Sequence, residues 1–171
     1  WFPPGKGEDR WRAPGGRLFL GIDHTAIVVG DTEASLACYR DVLGLRVAGT
    51  SDNHGPEQER LNNVFGAHLR ITTLRAAAGP GVELLEYLTP RDGRPAPLDA
   101  RPNDLAHWET TFLVDNAETV AHATRSSACG MLSPSVVAPA EPALGFARAL
   151  RLRDADVDAV GADRLSGHEK R

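Results

Sequence analysis

The 171-residue chain has two cysteines, one methionine, few aromatics (6%) and no surplus of positive charge. Each scarcity removes a class of protein. Two cysteines without CxxC spacing exclude a disulfide-dense scaffold, and Cys38, inside "SLACYRD", and Cys129 read as small packed hydrophobes. A formal net charge of −4, with no basic run and no basic face interleaved with aromatics, argues against a nucleic-acid partner. The longest apolar stretches, "AIVVGD" and "TTFLVDN" among them, fall far short of the roughly 20 residues that cross a bilayer, so no membrane partner is expected. There is no nucleophile–base signature, P-loop or dinucleotide fingerprint. A cytoplasmic protein is expected, although a start at Trp1 instead of Met leaves a trimmed N-terminus and a removed targeting segment open.

What remains is ordinary globular composition, 42% hydrophobic and 25% charged, enough for one domain or two small modules sharing a core. Residues 1–18, rich in Pro, Gly and charge, read as an extended arm. From Phe19 to Val29 the β-branched, apolar "FLGIDHTAIVV" predicts a strand, which runs into Asp31 as N-cap of a helix over "TEASLACYRDVLG". Leu36, Tyr39 and Leu43 make one apolar stripe on that helix, and Gly44 stops it. A strand around "LRVAGT" follows, then a polar segment with room for a short helix, then strands "AHLRITTLRA" and "VELLEYL" on either side of a Gly-Pro-Gly turn. The predicted order over 19–90 is β-α-β-β-β. Prolines mark a linker over 91–103, and over 104–164 the order restarts with a strand "AHWETTFLV", a cap at Asn116, a helix over "AETVAHATRSSA" and strands near "SPSVVAP", "FARALRLR" and "AVGAD", leaving a tail at 165–171.

Asp31 and Asn116 stand 85 positions apart (116 less 31), each closing a strand and opening a helix, so the halves superimpose at that offset. Applied to His24, the offset gives Glu109 and not His107. Strand parity places His24, Ala26 and Val28 on one face and Thr25, Ile27 and Val29 on the other, whose aliphatic character suits the helix side. Glu109, Thr111 and Leu113 match the His24 face. His107 shares it, one pleat nearer the rim.

Two such modules, with "HTAIVVGDTEASLACYRDVLGL" in the first and "VELLEYLTP" as its fourth strand, resemble the vicinal oxygen chelate superfamily of glyoxalases, bleomycin resistance proteins and extradiol dioxygenases, over roughly residues 19 to 164. The resemblance implies an α+β fold in which tandem βαβββ modules form a curved mixed sheet, a cup with helices outside. It further implies a divalent metal ion held by the first and fourth strands of each half: His24, Glu83 and, where the family more often has His, Glu109. Glu86, three along from Glu83, points to the opposite face. The fourth ligand has no counterpart, since the matching stretch "DADVDAVGAD" carries Gly161 where an acid would stand.

Blander readings stand beside these. His24 also suits a core histidine bonded to backbone, and Glu83 a buried, hydrogen-bonded carboxylate. Without a cation, Glu83 and Glu109 would share a proton and serve as acid and base; His107 is an alternative ligand, a general base or a surface residue. The polar segment with His54, Glu57, Gln58, Glu59 and Asn62 borders the mouth of the cup or is a solvated loop. Arg70 and Arg148, in middle strands, face an anionic substrate or solvent, and Tyr87 and Thr111 are further candidate substrate contacts. The acidic "DADVD" lacks the glycine and glutamate of a calcium loop. The expected protein is a monomer or homodimer acting on a small molecule, as a metal-dependent lyase or isomerase that stabilises an oxyanion or enolate. Its rivals are a metal-free small-molecule binder and a ring-cleaving dioxygenase, the latter needing His107 in place of Glu109.

Overall fold

The computed structural model describes residues 21–94, 97, 99, 101, 103–105, 109–127, 129 and 149–153, with backbone only for Glu109 and for 149–153. Strand β1 (His24–Val29) alternates: Ile27 and Val29 are buried, whereas Val28 between them is 58% exposed. Its apolar residues at period two therefore seat one face on the core. At Asp31 the backbone is extended and the side chain accepts from the Ala34 amide, which starts α1 (Thr32–Tyr39). Beyond Tyr39 the helix loosens into wider turns, Leu43 N–H to Cys38 O and Leu45 N–H to Tyr39 O, and Gly44 ends them at φ +73°. The stripe Leu36, Tyr39 and Leu43 faces the core as its spacing predicts.

Strand β2 (Arg46–His54) outruns the expected "LRVAGT" by four polar residues. Ser51 to His54 look like loop in isolation, but they pair in register with Ile71 to His68 of β3 (His68–Arg75), and as the outer strand among the described residues β2 can be polar on both faces. The short helix α2 (Pro56–Asn62) lies within the polar segment, with Pro56 at its first position and left-handed Asn63 at its end. Strand β4 (Gly81–Thr89) completes a curved four-stranded sheet of order β1-β4-β3-β2, with β4 parallel to β1 and antiparallel to β3. The βαβββ order of the first module is thus as read. Ile27, Val29, Leu74, Val82 and Leu84 pack against Leu36, Cys38 and Tyr39 of α1. Each such side chain contributes about 1.5–3 kcal/mol by leaving water.

The second half opens the same way. Strand β5 (Glu109–Leu113), the cap at Asn116 and helix α3 (Ala117–Arg125) begin at the residues that the 85-position offset assigns. The two caps have nearly the same backbone, φ −150° and ψ 117° at Asp31 against −148° and 110° at Asn116, and each accepts an amide three residues on. Phe112 packs against Tyr39 with ring centroids 6.3 Å apart, and Cys129 joins the same buried cluster, so the halves share a core. Strand β6 (Ala149–Arg153) pairs antiparallel with β5, where β1 and β4 are parallel. It falls in the third strand expected of this half, and the third strand of the first module likewise runs opposite to β1. The expected arm at 1–18 and the stretch "DADVDAVGAD" lie outside the described residues, as does Arg148.

Candidate functional site

The sheet has two faces, and β4 divides its carboxylates between them. Val82, Leu84 and Glu86 point toward α1, while Glu83, Leu85 and Tyr87 point to the open side. The parallel register sets Glu83 beside Ala26, one pleat from His24, on that open side. There His24 Nε2 lies 3.4 Å from Glu83 Oε2, with the two side chains 40% and 23% exposed. Residues 59 apart in sequence are thereby brought together as the first- and fourth-strand reading expects.

Each partner is held from behind. Thr73, opposite Glu83 in the ladder, donates its hydroxyl to Glu83 Oε1 at 3.0 Å and leaves Oε2 toward His24. Asp23 Oδ2 lies 2.9 Å from His24 Nδ1. Arg75 reaches Asp23 twice, donating to its carbonyl at 3.1 Å and to Oδ1 at 3.3 Å. The hydrogen bond with His24, and after it Arg75, hold the Asp23 carboxyl below its ordinary range against the opposing effect of burial. Asp23, Thr73 and Arg75 were not singled out by sequence reasoning. Asp23 had a signal, its adjacency to His24; the other two become visible only through strand register.

An unprotonated imidazole nitrogen and a carboxylate oxygen that face each other repel, and a proton on Nε2 or a cation bound to both relieves the repulsion. Two donors each about 2.1 Å from a tetrahedral ion lie about 3.4 Å apart, so the spacing suits a shared metal ion. The Asp23 contact to the remote ring nitrogen is the outer-shell support that metal-bound histidines usually have. Among the described residues no group of three His, Cys, Asp or Glu side chains converges for a metal. The third expected donor, Glu109, opens β5 at the position equivalent to His24, but its side chain is outside the described residues, and so is all of His107.

Farther along the open face, Asn53, Leu69 and Tyr87 share one register row. The α2 helix is tied to them by a polar string: Asn53 donates to Gln58, Gln58 to Asn62, and Asn62 to the Tyr87 hydroxyl at 2.7 Å. Gln58, Asn62 and Tyr87 thus belong to the edge of the site. Two others are engaged elsewhere: Glu59 accepts from the Gly66 amide, and His54 stacks edge-on with His68, itself bonded to Asp52; Glu57 is exposed on α2. Arg70 lies on the opposite face, 3.4 Å from Glu86. Thr111 is exposed on β5. None of the described helices is long and apolar enough to cross a membrane.

A glyoxalase family protein from Bacillus cereus, known from its crystal structure, is 25% identical with a TM-score of 0.43; the match covers 52% of this chain and 62% of that protein, less than two thirds of its length. No curated protein matches the sequence. The profile of the Glyoxalase/Bleomycin resistance protein/Dioxygenase superfamily matches residues 21–129, more than half of the chain and the whole of the region that carries His24, Glu83 and the repeated strand–helix unit. The chain belongs to that superfamily.

Proposed function

We propose that the open face of the first sheet is a small-molecule site in which His24 and Glu83 hold a divalent metal ion, with Glu109 as third protein donor, and that the protein is a lyase or isomerase of a small oxygenated metabolite. The single observation that carries this is the 3.4 Å approach of His24 Nε2 to Glu83 Oε2, each backed by its own hydrogen bond. An ion bound there would act as a Lewis acid on a substrate oxygen and favour the oxyanion or enolate form. The chain's own groups supply the rest. Ala26, Val28 and Leu85 offer apolar contact for a carbon skeleton, and Asn62 and Tyr87 offer polar contact at the α2 end. Glu109, if free of the ion, stands as acid or base for a proton carried between substrate atoms.

One observation favours a second reading, a metal-free binder. A proton on His24 Nε2 would satisfy the Glu83 contact as an ordinary ion pair, with no third donor required. Elemental analysis of untagged protein, with thermal melts before and after chelator, separates the two. Stoichiometric metal and a melting point that falls on chelation support the metalloenzyme, because a ligand that binds only the native state raises the melting point. Absence of metal, with no shift on adding Zn²⁺ or Ni²⁺, leaves the binder.

A further inference from the structure

We propose that Asp23 is a positioning residue: clamped by Arg75, it fixes the His24 ring with Nδ1 protonated and Nε2 turned toward Glu83. The inference rests on reading His24 as the nitrogen donor of the site. Its physical basis is how Asp23 is shared. An ionised carboxylate only accepts hydrogen bonds, and one faces each ring nitrogen; the single hydrogen of a neutral ring goes to the closer contact, Asp23 at 2.9 Å against Glu83 at 3.4 Å, and Nε2 keeps its lone pair. Arg75 occupies Oδ1 and the main-chain carbonyl, which leaves Oδ2 for His24. The same carbonyl accepts the Gly81 amide at 2.8 Å, so the starts of β1 and β4 and the end of β3 meet at Asp23.

Gly81 belongs to this arrangement. A Cβ there would stand 2.9 Å from Arg75 Cζ and 3.0 Å from its Nε and Nη1, so the absence of a side chain is what lets the guanidinium lie against β4. His24 needs such outside support. Among the described residues its strand has a neighbour on one side only, and its side chain is 40% exposed, so packing does little to choose between its two ring orientations. Flipping the ring would exchange Nδ1 for carbon and turn the lone pair away from Glu83.

The test is the two-bond ¹H–¹⁵N correlation spectrum of chelator-treated, ¹⁵N-labelled protein at mildly alkaline pH, which distinguishes the two neutral tautomers of each histidine. His24 should show the Nδ1–H pattern alone. Asp23→Ala should give the averaged pattern of a free imidazole, Asp23→Asn an intermediate one, and Gly81→Ala should shift it in the same direction by displacing Arg75. A purely structural role for Asp23 would lower the melting point and leave the pattern as it was. An averaged or Nε2–H pattern in the parent protein overturns the proposal whether or not the variants fold. Zn²⁺ titration then reads the consequence, an affinity about 10- to 100-fold lower in Asp23→Ala. A parent protein that shows the Nδ1–H pattern but binds no Zn²⁺ refutes the metal reading and leaves the positioning role in place.

Discussion

Glu86 accepts two hydrogen bonds from Thr32, from the amide at 3.1 Å and from the hydroxyl at 2.7 Å, and so ties the first turn of α1 to the middle of β4. The carboxylate is buried and also receives Arg91 at 2.9 Å, with Arg70 at 3.4 Å. Removing it strands the buried amide and hydroxyl of Thr32 at the helix start, while the two arginines, about half exposed or more, turn to water. Glu86→Ala is expected to cost about 3 kcal/mol, read as a fall in the urea midpoint. Arg91→Ala, at a residue 62% exposed, should cost less than about 1 kcal/mol.

Asp23 gives the fold a dependence on pH. Its carboxyl is easier to ionise in the folded chain than the ordinary value of 3.8, chiefly through the hydrogen bond with His24. A group of that kind stabilises the native state at pH above its unfolded value, and the contribution is lost as pH falls through the lower, folded value. Asp23→Asn should therefore be less stable than the parent at neutral pH, with the gap closing below pH 3.8. Denaturation curves at a series of pH values check this; a gap that widened toward acid would contradict it.

The two helix caps offer a matched pair. Asp31→Ala and Asn116→Ala each remove a 3.0 Å bond to an amide of the first turn, and each should cost about 1 kcal/mol. Thermal melts followed by circular dichroism would show two similar shifts. A negligible shift at one of them would mean that the cap bond there is not formed in solution.

The faces of the sheet predict which substitutions reach the site. His24→Ala and Glu83→Gln should each abolish the rise in melting point that added Zn²⁺ gives the parent protein. Arg70→Ala should leave that rise intact, because its guanidinium lies with Glu86 on the other side of the sheet.

Much of this was legible before any coordinates, for reasons that lie in particular residues. The alternation of Ile27, Val28 and Val29 and the capping side chains of Asp31 and Asn116 are local signals, so the strand–helix unit and its 85-residue recurrence were readable. The pairing of His24 with Glu83 was reached through the family resemblance and the parity of β4. What escaped were contacts set by register alone. Thr73 meets Glu83 and Arg75 meets Asp23 because of how β3 aligns with its neighbours, which no stretch of either strand announces. The polar run Ser51 to His54 was missed as strand for the converse reason: its structure comes from a ladder with β3 and not from any preference of its own.

The order β1-β4-β3-β2 gives the two halves of the His24–Glu83 contact unequal mechanical footing. Glu83 rides on a strand bonded along both sides, and its amides should be among the slowest to exchange with solvent. His24 rides on a strand that, among the described residues, has a neighbour on one side only. Any give in the contact therefore comes from the β1 side, and the bonds from Arg75 and Gly81 to Asp23 are what limit it.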